Sequence, residues 1–316
     1  MRRASHLSRT VGDVGEFGLI GQIQRQLATG PAPSGIGAAA HRSAVVGIGD
    51  DCAVLRSADR AKYLLYTCDP VVERVHYLPH TPPRDVGWKA MARNLSDIAA
   101  MGGQPRWAVV SVGLRRRTSV AYVRQLYDGL QSAAKQFGCL IVGGDCTHVR
   151  HEQFVAVALL GEVERDRLAL RSGAKPGDVV FVTGKLGGSV RGKHLKFTPR
   201  IREARWLTGH FKIHAMMDIS DGLASDLQRL LESSHVGFDI SSEKIPVNGS
   251  VRAALSDGED FELLFTISPR DAGKLKAKWR FKLPLTEIGR AIRQQAVLLD
   301  GQPLATKGYD HFAQRS

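Results

Sequence analysis

Aspartates in short glycine-bearing contexts are where this sequence concentrates its chemistry. Asp50 and Asp51 follow Gly49 and the apolar run Val45 to Ile48, Asp69 follows Tyr63 to Cys68, and Asp145 follows Gly144 and the run from Leu140. Asp218 and Asp221 bracket Ile219-Ser220 after Ala215 to Met217, and Asp97 ends the segment Asn94-Leu-Ser-Asp97. Two carboxylates about 4 Å apart repel by roughly 4 kcal/mol at an effective dielectric near 20, so a group of them gathered in space calls for a cation. Oxygen donors without histidine or cysteine partners suit Mg²⁺, which binds one or two carboxylates together with nucleotide phosphates. Any single aspartate here is better explained as a turn or cap residue, with Ser220 and Asp221 capping a helix that begins at Gly222. The recurrence of the pattern along one chain favours a polynuclear metal site.

Other chemistries find weaker support. Gly187 to Lys193 has the glycine and lysine spacing of a P-loop and follows a strand-like run, but His194 stands where a Ser or Thr must hold Mg²⁺. Protein-kinase signatures are absent, and Gly47-Ile-Gly49 lacks the third glycine of a dinucleotide fingerprint. His148 and His151 have no zinc spacing with Cys139 and Cys146, and no nucleophile elbow occurs.

The elements that must position the aspartates alternate between strand-like and helix-like segments, which points to a layered α+β architecture. In the first half the pattern predicts a helix over Glu16 to Ala28 and strands at Ala44 to Ile48 and Tyr63 to Cys68. A helix over Arg84 to Met101 follows, stopped by Gly102-Gly103. Strands at Trp107 to Leu114, Leu140 to Val142 and Phe154 to Val163 come next, with a helix over Ser119 to Gln136. The turn Ala174-Lys-Pro-Gly-Asp178 opens a second half. Strands are expected there at Val179 to Thr183, up to Ile219, and at Phe261 to Ile267, Thr286 to Ile292 and Ala296 to Leu299. Helices are expected over Asp221 to Glu232 and Pro269 to Trp279. Gly30 to Ala40 reads as a flexible loop.

With 316 residues, 43% hydrophobic and 24% charged, the chain has the composition of a folded protein with two domains or one large one. No run reaches the ~20 apolar residues of a membrane span. The basic start, MRRASHLSRT, has no apolar core of a secretory signal, so a cytoplasmic location is expected. Four cysteines without a C-x-x-C pair are expected to be reduced. The net charge of +13 favours polyanionic ligands, nucleotides among them, and no nucleic-acid-binding signature accompanies it.

Taken together the motifs resemble those of the thiamine-monophosphate kinase family, within the superfamily of aminoimidazole ribonucleotide synthetase. The resemblance runs from Gly15 to near the end of the chain. Its markers are GEFGLI, GIGDDCAVL, VHY after Asp69, NLSDIAAMGG, GGDCT, RSGAKPGDVVFVTGKLG, MDISDGLASDL, GEDFELLFT and KGYDHF.

That resemblance implies a two-domain synthetase-like fold. An N-terminal α/β domain over residues 1–164 would pair in a homodimer, and a C-terminal α/β domain would span 165–316. It implies transfer of the γ-phosphoryl of ATP, the co-substrate, to thiamine monophosphate, with several Mg²⁺ ions. Metal ligation would fall to Asp51, Thr67, Asp69, Asp97, Asp145, Asp218 and Asp221, with Asp69 and Asp145 the catalytic pair. ATP would meet Gly144, Asp145, Arg171 and Ser220; thiamine monophosphate would meet His76, Glu259 and Tyr309. Cys68 stands where the family carries Thr, Gly188 where it carries Asp, and Phe197 where it carries Pro. The segments after Gly192 and Ile245 are shorter than usual. A sibling enzyme acting on another small substrate, and a catalytically reduced nucleotide-binding protein, are the alternatives.

Overall fold

The computed structural model describes residues 10–28, 43–304 and 308–312. The expected loop from Gly30 to Ala40 lies outside them. Six strands form the first sheet: β1 (Ala44–Val46), β2 (Ala53–Arg56), β3 (Lys62–Val72), β4 (Gln104–Leu114), β5 (Leu140–His148) and β6 (Phe154–Glu164), in the order β1-β2-β3-β6-β4-β5. All neighbours are antiparallel except β4 and β5. Strict alternation in β6 buries Val155, Val157, Leu159 and Val163 on one face, where Leu65, Val71, Val110 and Val112 join them. The other face leaves Tyr66, Trp107 and Val109 exposed, and Leu140 and Val142 of β5 are exposed as well.

Helix α1 (Val11–Ala28) precedes this sheet and is kinked at Gly15, where φ is 69°. Two long helices cover the buried face: α2 (Pro83–Ala100) and α3 (Val120–Phe137). Proline at the start of α2 supplies a pre-set φ where no N–H is needed. Its end is a Schellman closure. Gly102, at φ +71°, donates to Ala99 O and Gly103 to Ile98 O, both at 2.8 Å. Helix α3 begins at Ser119, whose hydroxyl accepts the Tyr122 N–H, and stops at left-handed Gly138. The two helices cross in near-contact. A Cβ on Gly129 would stand 1.9 Å from Arg84 O, and one on Gly87 would stand 2.0 Å from Leu126 O.

The second sheet has seven strands: β7 (Val179–Thr183), β8 (Ile213–Asp218), β9 (Gly237–Ile240), β10 (Leu263–Ile267), β11 (Leu285–Ile292), β12 (Val297–Leu299) and β13 (Gln302–Pro303). Their order is β13-β12-β9-β11-β7-β10-β8. Strands β7 and β10 are buried on both faces and read as unbroken apolar runs. Helices α4 (Lys193–Lys196), α5 (Ile201–His210), α6 (Leu223–Ser234), α7 (Val251–Ser256) and α8 (Pro269–Lys278) are the remaining α-helices of the described residues. Phe181, Met216, Phe265 and Leu275 share one apolar cluster with Leu65, Leu95 and Val157, so the two sheets' cores are continuous. No helix of the described residues is long and apolar enough to cross a membrane.

Several expected elements change on folding. The expected strands at Tyr63 to Cys68 and Leu140 to Val142 extend to Val72 and His148, so Asp69 and Asp145 lie inside strands rather than in the turns after them. Ladder pairing of Asp69 with Val157 and of Asp145 with Ser111 overrides the low strand propensity of aspartate and glycine. The helix expected from Asp221 starts at Leu223 because Gly222 has φ +97°. Ser220 and Asp221 do not cap it. Instead the Asp226 carboxylate accepts their N–H groups, at 3.1 and 3.3 Å. The P-loop-like stretch is closed from within. Gly187 N–H donates to the buried Asp260 carboxylate at 2.8 Å, and Lys193 pairs with Glu262 at 3.0 Å.

Candidate active site

The site is assembled where the C-terminal ends of α2 and β8, the middle of β3 and the loop before β2 meet. Carboxylate oxygens of Asp51, Asp97 and Asp218 lie within 4.8 Å of one another. Thr67 Oγ1 donates to Asp97 Oδ2 at 2.5 Å, and Ser96 Oγ donates to Asp218 Oδ2. At this spacing each ionised pair costs roughly 3 to 4 kcal/mol. Burial, and then the charges of Asp69, Asp218 and Asp51, push Asp97 well above the usual carboxylate range. Burial and the charge of Asp51 raise Asp218 to about 7. Burial and the charge of Asp51 likewise raise Asp50 to about 7, even though it accepts the Arg171 N–H at 3.1 Å.

These donors fit a hard divalent cation. Asp51 Oδ2 is buried and without a hydrogen-bond partner, and the donor set is oxygen alone. The nearby Cys52 thiol is held far from ionisation by burial and by the surrounding carboxylates, which removes it as a competing ligand.

Arginines hold the outer aspartates. Arg171 pairs with Asp51 and Arg229 with Asp221, while Arg93 Nε donates to Asp69 Oδ2 at 3.2 Å. The Asp69 main chain is tied to the Asn94 side chain as well, since the Asp69 N–H donates to Asn94 Oδ1 at 2.9 Å. Strand alternation sends the exposed Cys68 to the face opposite Thr67, so its thiol does not face the carboxylates.

A cavity of about 160 Å³ adjoins this group, with His76, Arg93, Ser220, Asp221, Glu259 and Tyr309 in its wall. Glu259 is held in left-handed backbone, φ 56°, by its N–H bond to Ser220 O at 2.7 Å. Such a conformation costs a non-glycine residue on the order of 1 kcal/mol or more and persists where its surroundings fix it. Its side chain meets Lys89 Nζ and His194 Nδ1, at 2.6 and 2.7 Å. Burial alone would raise its pKa, but the His194 hydrogen bond and the Lys89 and Arg93 charges bring it to about 2. Lys89 is fully buried, and desolvation lowers it to about 8 in spite of Glu259.

Burial, then the Arg93 charge, holds His76 neutral with a pKa of about 3; its Nδ1 accepts the Val72 N–H at 3.0 Å. Phe197 stacks on Phe261 with centroids 4.0 Å apart and its carbonyl accepts the Trp88 indole N–H, which backs the cavity floor. Tyr309 and His311 come from the far end of the chain. Tyr309 N–H bonds Asp221 O at 2.9 Å, and the Asp310 carboxylate accepts the Glu16 N–H at 3.2 Å, next to the Gly15 kink.

The structure therefore gathers Asp51, Thr67, Asp69, Asp97, Asp218 and Asp221 with Arg171 and Ser220, and sets His76, Glu259 and Tyr309 around the neighbouring cavity. Gly144 and Asp145 stand apart. Strands β6 and β4 separate β5 from β3, about 14 Å at the usual strand spacing. Asp145 shares a register row with Ser111 and Ala156, and thus the sheet's open face, whereas Asp69 lies in the row of the buried Val157 and Val110. Sequence reasoning gave Lys89, Arg93, Ser96 and Arg229 no role, named Asp50 without a ligand role, and read His194 only as the residue that breaks the P-loop pattern. The i, i+4, i+8 series Lys89, Arg93, Asp97 along one face of α2 is an unread signal that could have found two of them.

Comparison with known proteins agrees with the two-sheet fold. The model of the AIR synthase related protein N-terminal domain matches residues 49–163, and that of the C-terminal domain matches residues 175–299. Fold and site thus define an AIR synthase related protein. A thiamine-monophosphate kinase of Bacillus subtilis is 35% identical over 310 residues, covering 86% of this chain and 95% of its own. One of Aquifex aeolicus is 35% identical over 333 residues, covering 95% and 99%. The solved structure described as AaThiL complexed with AMPPCP and TMP superposes with a TM-score of 0.82 at 34% identity, covering 96% and 99%. The chain belongs to the thiamine-monophosphate kinase family.

Proposed function

We propose that this chain transfers the γ-phosphoryl group of ATP to the phosphate of thiamine monophosphate, giving thiamine diphosphate and ADP. The observation that carries this reading is the cluster of oxygen ligands set against a cavity walled by His76, Glu259 and Tyr309. The relative whose complex holds AMPPCP and TMP covers nearly the whole chain, which supports the same pair of substrates here.

Asp51, Asp69, Asp97, Asp218 and Asp221, with Thr67 beside them, would hold Mg²⁺, which when bound neutralises phosphate charge and polarises the transferred group. Arg171 offers a planar fork to nucleotide phosphates, and Ser220 a hydroxyl beside them. Glu259, pre-ionised by its neighbours, faces the cationic thiamine rings, and neutral His76 presents an uncharged wall. A terminal phosphate oxygen of thiamine monophosphate forms the new P–O bond as the bond to the ADP oxygen breaks. The transfer is read as direct, a single in-line displacement in which charge neutralisation and positioning do the catalysis.

The open face of the first sheet, with Tyr66, Trp107, Val109, Leu140 and Val142 exposed, supports a homodimer formed through residues 1–164, with 165–316 the second domain. Asp145 lies on that face, so the second copy is where it would act, whereas Gly144 shares the row of Val110 and Val157. Free thiols at Cys68 and Cys146, both exposed, support a reducing, cytoplasmic setting.

The test is ADP release with and without thiamine monophosphate, in Mg²⁺ and in excess chelator, with the product separated by chromatography. Thiamine diphosphate formed only with Mg²⁺ is the expected result. Turnover with a different acceptor alone, or none at all, overturns the reading in favour of a sibling enzyme or a binding protein.

A further inference from the structure

Arg93 sits between the two halves of the site. Its side chain is only 13% exposed, yet it lines the cavity. One edge faces the carboxylate cluster, with Nε donating to Asp69 Oδ2 at 3.2 Å and Nη2 3.1 Å from the same oxygen. The other edge faces the cavity wall, where Nη1 stands 3.8 Å from Glu259 Oε1, an ion pair beyond hydrogen-bond reach. Its plane is backed by Phe261, 6.0 Å from the guanidinium carbon, which is itself stacked on Phe197.

Glu259 does not depend on Arg93 for a partner, because Lys89 and His194 are both within hydrogen-bond distance of its Oε2. Arg93 thus keeps donors on its Nη1 edge directed at the cavity, and a positive charge that Asp69 offsets on the opposite edge alone. A guanidinium with one edge anchored and the other open is suited to a phosphate, whose oxygens match its planar fork.

We propose that Arg93 binds the phosphate of thiamine monophosphate and holds it beside Asp69, which makes it a substrate-binding residue of the transfer step. The proposal rests on the thiamine-monophosphate reading. It has a selective consequence: thiamine, which carries the same rings and no phosphate, gains nothing from this contact.

Calorimetric titration of thiamine monophosphate and of thiamine into the full chain in Mg²⁺ buffer, without nucleotide, separates the possibilities. For R93M the affinity for thiamine monophosphate should fall on the order of tenfold to a hundredfold, the loss of a charge-assisted hydrogen bond, while that for thiamine stays within about twofold. R93K, which keeps the charge and loses the fork, should fall between wild type and R93M, and it carries the test if R93M does not give a cooperative unfolding transition. Equal losses for both ligands mark a merely structural role and overturn the assignment, as does undiminished preference for the phosphorylated ligand in both variants. Wild-type protein that binds neither compound overturns the assignment together with the substrate reading, a result distinct from wild-type binding that the variants leave unchanged.

Discussion

At the scale of single residues, the carboxylates are in tension that a cation relieves. D69N should reduce Mg²⁺-dependent turnover by at least about a hundredfold while leaving the thermal unfolding transition in place, since a cavity-side ligand is lost and no core contact is. Retained activity in D69N, or in excess chelator, removes the metal-cluster reading. His76 makes a prediction of a different kind. Its pKa is about 3 in the fold against an ordinary 6.5, so the unfolded chain binds the extra proton first and stability falls as pH drops below 6.5. By pH 5 the loss is about 2 kcal/mol. H76N, whose amide oxygen can accept the Val72 N–H in place of Nδ1, should flatten the acid side of a plot of urea midpoint against pH between 6.5 and 5. An unchanged slope places the acid sensitivity elsewhere. The aspartates were legible in the sequence because their type and glycine context are local. Arg93, Lys89 and Arg229 were not, since a cation's role is defined by its partner, and Glu259 lies 170 positions from Lys89.

Among the elements, α2 is the one on which the site depends most, because it carries Lys89, Arg93, Asn94, Ser96 and Asp97. Its position is set by the close crossing with α3, where Gly87 and Gly129 let backbone meet backbone. G129A forces the helices apart and should lower stability by about 1 to 3 kcal/mol or more, read as a lower urea midpoint at unchanged slope. Activity should fall with it at temperatures where the fold persists, as Asp97 moves relative to Asp51 and Asp218. A wild-type midpoint in G129A means that the crossing yields without cost. Both helices were legible to within a residue at each end, since apolar periodicity and glycine stops mark them. The short elements were not: β2, β9, α5 and α7 went unread. Four-residue β9, for example, carries no period of its own and owes its conformation to pairing with β11 and β12.

For the whole molecule, the decisive feature is the separation of Asp145 from Asp69 on opposite faces of one sheet. If the second copy receives Asp145, D69N and D145N are each inactive, yet a mixed population regains activity. Random pairing makes half of the dimers mixed, and each has one site with both aspartates, so about a quarter of wild-type turnover should return. Size-exclusion chromatography with light scattering checks that the species is a dimer. No recovery after subunit exchange means that Asp145 works within its own chain or not at all. Arg93, Arg171, Arg200, Arg205 and Arg229 each pair with a carboxylate, and such pairs cancel in the net charge, so the surplus of +13 is carried by the remaining basic residues.

The clasp between Asp310 and the backbone at Glu16 ties the order of synthesis to the order of assembly. On a ribosome the first sheet and α2 emerge early and have their own apolar face to bury, while Asp310, with Tyr309 and His311 beside it, emerges some 290 residues after the Glu16 backbone it clasps. A nascent chain can thus build its carboxylate cluster only after β8 is made, and its substrate wall later still. On the proposed reading, capture of thiamine monophosphate then waits until Tyr309 has been made, and is withheld from every intermediate of translation that ends before it.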